Sequence, residues 1–339
     1  MRLAVLDQSP LRSGATPEQA LAETVALAQH CEALGYERFW VAEHHGSGGL
    51  MGAAPEVLIA RIASATERIR VGSGGVMLSH YSPYKVAEQF AVLEALFPGR
   101  IDLGLGRAPG SDGLTAAALS YGNRVGGEYY GAKVVDCLRW SRGEVPHTEA
   151  LQAVKLSPAH DHPPQPWLLG STDQSAQLAA HLGVGFAFAH FIAPDQLELA
   201  SRLYHERFEP SASCSEPRFA LAAFALCSED PEALADMTLC RDAWRRRMRA
   251  GGEPGPWPTP QAARVMLGDD HVATGEGAIA GDGRAVLDTL RTLAERSAAE
   301  CTFVVTITPE FEQRLESYSL LARARAEVGD GATVSAQRA

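Results

Sequence analysis

The stretch Arg38-Phe39-Trp40-Val41-Ala42-Glu43-His44-His45-Gly46 sets a carboxylate and two imidazoles at the end of a short apolar run, and Gly46, Gly48 and Gly49 stop that run at once. A strand end loaded with titratable groups is a place for chemistry. Whether it forms part of a barrel mouth depends on whether the rest of the chain supplies seven more such ends.

Working outward, Leu3-Ala4-Val5-Leu6 reads as a strand ending at Asp7, and Thr16-Pro17-Glu18-Gln19 opens a helix with a cap residue and a proline at its first position. Downstream, strands read at 69–77, 100–106, 166–169, 184–188, 219–227 and 301–307. Helical patterns alternate with them at 55–66, 83–97, 115–120, 128–142, 171–182, 194–208, 231–249, 283–297 and 309–326. Between the last two strands, the Gly/Pro-rich stretch 251–281 reads as structureless, and a loop that long suits a mobile lid.

Eight strands separated by crossover-length helices predict a (β/α)8 TIM barrel over residues 1–326. The pattern adds a lid-like insertion at about 230–282 between strands seven and eight, and a disordered tail at 327–339. In such a barrel the carboxyl ends of the strands form the active face, which would gather Asp7, Glu43, His44, Gly74, Gly75, Arg107, Ser171 and His190.

Composition narrows the function classes. A formal charge of −11 argues against a nucleic-acid surface, and the one dense basic run, Arg245-Arg246-Arg247 with Arg249, reads as a solvated helix face. The 6 cysteines form no C-x-x-C pair and sit in apolar stretches, as reduced thiols of a cytoplasmic protein would. No apolar run approaches membrane-spanning length, so no membrane partner is expected.

Strand alternation predicts that only one of His44 and His45 faces the barrel mouth. A metal site built from this pair with His80 or His160-Asp161-His162 lacks any fixed ligand spacing, so no metal is expected. Gly72-Ser73-Gly74-Gly75 strips side chains from a strand end and would let a flat ring lie against the backbone. Gly104-Leu105-Gly106-Arg107-Ala108-Pro109-Gly110 departs from a dinucleotide fingerprint: its third glycine is one position late, and Pro109 interrupts the turn. As a barrel loop it presents one arginine suited to a phosphate. Gly170-Ser171-Thr172, at a strand-to-helix turn, offers N–H groups and hydroxyls to an anion, with Ser171 equally able to cap the helix.

Taken together, Ala42-Glu43-His44-His45-Gly46, Pro55-Glu56-Val57-Leu58-Ile59-Ala60, Ile69-Arg70-Val71-Gly72-Ser73-Gly74-Gly75-Val76-Met77-Leu78, His80-Tyr81-Ser82-Pro83 and Pro98-Gly99-Arg100-Ile101-Asp102-Leu103-Gly104-Leu105-Gly106-Arg107 resemble the luciferase-like flavin monooxygenases. The likeness covers nearly the whole chain and is strongest before residue 111. It implies a barrel that binds FMN, works with the reduced form FMNH2, and uses O2 through a peroxyflavin to oxidise a small organic substrate. By the same resemblance His44 is the catalytic histidine; Glu43 and His45, beside it at the strand end, are supporting catalytic candidates. Gly74, Gly75, Arg107, Gly170 and Ser171 are then cofactor-binding, with a non-proline cis peptide at Gly74–Gly75. A separate flavin reductase is expected, because the chain shows no convincing nicotinamide-binding domain; a homodimer is expected from the family. Two departures stand out: 121–130 is richer in glycine and tyrosine than the family pattern, and Gly281-Asp282-Gly283 replaces a glycine followed by a small hydroxyl residue and proline. The rival expectations are hydride transfer with the deazaflavin F420 on the same barrel, a non-catalytic flavin-binding protein and, third, a metal-dependent hydrolase.

Overall fold

Proline and short polar side chains set the helix starts. Pro17, Pro55, Pro83, Pro231 and Pro260 each occupy the first position of a helix, where the missing N–H costs no hydrogen bond. At the first of these, Thr16 and Gln19 cap each other reciprocally at 2.8 and 3.3 Å. The computed structural model describes residues 1–336 except 109, 122–126, 160–161, 252–254 and 269.

Strands β1 (Arg2–Asp7), β2 (Arg38–Val41), β3 (Arg70–Ser73) with its continuation β4 (Val76–Met77), β5 (Ile101–Gly106), β6 (Gln165–Gly170), β7 (Gly185–Ala189) and β8 (Phe219–Cys227) pair in parallel order. After β9 (Ile279–Gly281), which adds to the edge of β8, β10 (Cys301–Val305) pairs with both β8 and β1 and closes the ring. The result is the expected eight-stranded TIM barrel. Around it run α1 (Pro17–Ala33), α2 (Pro55–Ala65), α3 (Pro83–Leu96), α4 (Gly113–Ser120), α5 (Gly127–Ser141), α6 (Asp173–His181), α7 (Leu197–Glu206), α8 (Pro231–Arg249), α9 (Pro260–Leu267), α10 (Gly283–Arg296) and α11 (Phe311–Ala336).

The third strand is not continuous. Val71 faces Ile101, whereas Val76 faces Leu105, so one extra residue is accommodated between β3 and β4. That bulge holds the Gly74–Gly75 peptide, which is cis. The glycines here serve close strand packing: a Cβ on Gly75 would lie 2.8 Å from the Gly104 carbonyl oxygen, and one on Gly104 would overlap the Ser73 carbonyl.

Below this point the barrel floor is ionic. Asp102, fully buried, accepts from Arg38 at 2.6 Å, from Arg70 at 2.6 and 2.9 Å, and from the Trp40 indole at 2.9 Å. Burial alone would raise the Asp102 pKa, but the two guanidiniums and the indole outweigh it and hold the carboxyl below its usual range.

One expectation needs correction. The 251–281 stretch is not structureless: it contains α9, packed on α8, and it returns through β9 to the barrel edge. Trp257 anchors it, donating its N–H to the Leu11 carbonyl at 2.7 Å and accepting from the Ser13 N–H at 3.0 Å. At the carboxyl end, α11 closes the chain, and Val328 packs against the core. Residues 337–339 lie outside the described residues.

Candidate active site

At the carboxyl ends of the strands lies one cleft of about 1150 Å³. Its floor is Leu6, Trp40, Leu169 and Phe303, and the Gly74–Gly75 backbone forms part of its wall. This is the face at which a TIM barrel places chemistry.

The chain after β2 reaches the cleft through a pinned loop, in which the His44 N–H donates to the Gly52 carbonyl at 2.8 Å and the His45 N–H to Gly110 at 2.9 Å. The alternation argument fails here, because β2 ends at Val41 and both imidazoles line the cleft. Hydrogen bonding, not the pleat, separates their roles. His45 Nε2 donates to Glu43 Oε1 at 2.6 Å, and the Tyr81 hydroxyl donates to the same oxygen at 2.7 Å. Glu43 Oε2 accepts the Met77 N–H at 3.0 Å, which ties β4 to the loop. Glu43 is buried behind the wall, where its carboxylate ties His45, Tyr81 and β4 together. His44 differs. Burial, with a smaller contribution from neighbouring His45, pushes its pKa down to about 4, so the imidazole is neutral at physiological pH. Its Nδ1 is buried without a hydrogen-bond partner among the described residues.

Two other expected members are absent from the cleft wall. Asp7 is locked in a buried ion pair with Arg314 and accepts the Ser9 N–H at 3.0 Å. His190 is passed over in favour of Ala189, Phe191 and Ile192 after β7. Among the described residues no three His, Cys, Asp or Glu side chains gather to hold a metal. His80 sits with its ring centroid 6.4 Å from that of His45, while His160 and Asp161 lie outside the described residues, as does Pro109.

Arg107, Gly170 and Ser171 belong to the adjacent strands β5 and β6 and the turns after them and, with Thr172 and Ser175, line the end of the cleft over those strands. Thr172, not Ser171, caps α6, its hydroxyl accepting the Ser175 N–H at 3.2 Å. The Ser171 hydroxyl is thereby left with no partner among the described residues, and Arg107 makes no ion pair among them. A guanidinium, a free hydroxyl and the start of a helix form a receptor for an anion.

The sequence reading missed the other end. Phe224, Arg241, Trp244, Arg245 and Trp257 line it, so part of the basic run assigned to a solvated face turns inward. The signal was present as Arg241, Trp244, Arg245 and Met248, spaced along one face of α8.

Residues 1–300 match the family described as Luciferase-like monooxygenase. The chain belongs to that family. Membership makes it an enzyme, and some of its relatives are named as monooxygenases. It is 36% identical to the N-acetyl-S-alkylcysteine monooxygenase of Bacillus subtilis (strain 168), over 96% of this chain and 98% of the relative. A luciferase-like monooxygenase of Escherichia coli (strain K12) is 40% identical over 76% of this chain and 75% of its own length. Among solved structures, apo-MsnO8 is 35% identical, covers 96% of this chain and 98% of its own, and superposes with a TM-score of 0.86.

Proposed function

We propose that the protein is the oxygenase half of a two-component system: it takes reduced FMN from a separate flavin reductase and uses O2 to oxidise a small organic substrate. The observation that carries this reading is His44, a neutral imidazole in the wall of a cleft that Arg107 and Ser171 also line.

The residues present fit FMN. Arg107 and Ser171, neither committed to a protein partner among the described residues, would hold the phosphate, assisted by the start of α6. Gly74 and Gly75 would present backbone to the ring. Bound reduced flavin would supply the electrons and the site of oxygen activation. The chain's own work is then to exclude water and to move one proton. Leu6, Trp40, Leu169, Phe303, Val305 and Ile307 make the floor apolar, which shields reactive groups from hydrolysis. The His44 imidazole would accept or return the proton, with Glu43, Tyr81 and His45 keeping its loop in place. The segment of about 230–282 would act as the cover of the cleft. Two protomers would pair through barrel helices, with Val57, Val92 and Leu96 exposed on α2 and α3. The six buried, unpaired cysteines suit a reducing cytoplasm.

The test is equilibrium binding of oxidised and reduced FMN, with F420 in parallel, followed by oxygen uptake with a panel of aldehydes, ketones and thioethers. Thioethers belong in the panel because one relative is named for an N-acetyl-S-alkylcysteine. Substrate-dependent oxygen uptake above that of free reduced FMN supports the reading. Preference for F420 without oxygen consumption would replace it with hydride transfer, and flavin binding without turnover would make the protein a non-catalytic binder.

A further inference from the structure

At about 1150 Å³ the cleft exceeds the roughly 300–1,000 Å³ usual for a single small ligand, so it has room for a second molecule beside a cofactor. Its two ends are both cationic. Arg107 and Ser171 follow β5 and β6, while Arg241 and Arg245 project from α8, which follows β8, with the apolar end of β7 between.

Arg241 is only 4% exposed, yet it makes no ion pair among the described residues. Its Nη1 donates to the Glu276 carbonyl at 2.6 Å, and its Cζ lies 4.4 Å from the Phe224 ring centroid. The carboxylates nearby are engaged elsewhere. Glu276 is held by Arg249 at 2.8 and 3.0 Å and lies 3.9 Å from Arg245. The Asp242 carboxylate accepts from the Thr274 N–H at 2.7 Å, the Thr274 hydroxyl at 3.1 Å and the Gly275 N–H at 3.4 Å. Arg245 and Arg249 thus share the Glu276 carboxylate while Arg241 has only the Glu276 carbonyl, in a chain whose net charge is −11. Burying a guanidinium without an anion is costly, and the cost is met when a bound ligand supplies one. Burial, reinforced by Arg245, lowers the Arg241 pKa to about 10, so the group is still a cation at neutral pH.

Beside these arginines stands an aromatic wall. Trp257 lies 5.3 Å from Trp244 and 6.5 Å from Phe224, centroid to centroid. We propose that this end of the cleft is the substrate site and that the substrate is an amphiphilic carboxylate: its carboxylate held by Arg241 and Arg245, its apolar body against Phe224, Trp244 and Trp257. The proposal rests on the flavin reading only in giving the Arg107 end to the cofactor.

The experiment compares 3-phenylpropionate with its neutral amide, 3-phenylpropanamide, by calorimetric titration of the FMN-loaded protein. The acid is expected to bind about 10-fold tighter or more, the scale of a charge-assisted bidentate contact. Arg241→Gln should reduce the acid to the affinity of the amide, Arg241→Lys should keep part of the preference, and FMN affinity should be unchanged in both. Equal binding of acid and amide by the wild type overturns the proposal, as does binding of neither probe. So does a preference that survives Arg241→Gln, or a fall in FMN affinity that makes Arg241 a cofactor residue. If Arg241→Gln does not fold, the wild-type preference and its loss in Arg245→Gln decide. If FMN itself fails to bind, the flavin reading falls alone, and the same acid–amide comparison on the flavin-free Arg107→Gln protein still tests the carboxylate site.

Discussion

The two walls of the cleft are made differently. The wall after β2, β4, β5 and β6 is backbone: a cis Gly–Gly peptide, a loop pinned through main-chain hydrogen bonds, and a helix start, with His44, Arg107 and Ser171 as its few polar side chains. The wall under α8 is side chain: two tryptophans, a phenylalanine and two arginines, held by an insertion that is itself anchored at Trp257. The backbone wall tolerates little change in itself, because a side chain at Gly75 or Gly104 would collide with carbonyl oxygens of the neighbouring strand. Side-chain contacts can be exchanged one at a time. The contrast suggests a shared cofactor on the first wall and an individual substrate on the second.

The largest expected effect lies beneath the first wall. Asp102→Ala removes the carboxylate between Arg38 and Arg70 and leaves buried cations uncompensated, which should cost about 3–5 kcal/mol of stability. Differential scanning calorimetry reads this directly, and a change in Tm of only a degree or two would show that the ionic floor does not support the glycine wall. Next comes His44→Ala, expected to lower kcat by about 10²–10⁴-fold while FMN binding and Tm hold. Full turnover with normal flavin binding would remove His44 from the chemistry.

A smaller effect concerns pH. The folded-state pKa of His44, about 4, lies below the ordinary value of 6.5, so the fold disfavours the protonated form. Above pH 6.5 this costs nothing; as pH falls toward 4 the unfolded chain binds a proton that the folded chain does not, and about 1–3 kcal/mol of stability should be lost. Denaturant titrations at pH 7 and pH 4.5 should therefore differ less for His44→Gln than for the wild type. An unchanged difference would place the acid sensitivity elsewhere.

How much of this could be read from the sequence follows the same division. The strands were legible because apolar runs bounded by Gly and Pro recur at crossover spacing, and the first wall was legible because glycines and a helix-start hydroxyl sit next to one another in the chain. Even there, local pattern went too far at His44 and His45: alternation holds only while a strand lasts, and β2 stops at Val41. Glu43 stands next to His44 in the sequence, while three donors hold its carboxylate behind the wall. The second wall was hidden because it joins distant segments. Trp257 lies in a Gly/Pro-rich run that looks unstructured until it meets Leu11 and Ser13, and Arg241 looks like any helical arginine until Phe224 packs beneath it.

The central claim is that the Arg107 end of the cleft receives the phosphate of FMN and the Arg241 end does not. The most direct measurement compares the affinities of FMN and of riboflavin, which lacks the phosphate, in the wild type, Arg107→Gln and Arg241→Gln. The account predicts that the wild type prefers FMN by about 10–100-fold, the worth of a charged phosphate contact, that Arg107→Gln loses most of this preference, and that Arg241→Gln keeps it. Equal binding of FMN and riboflavin by the wild type, or loss of the preference in Arg241→Gln alone, would contradict it.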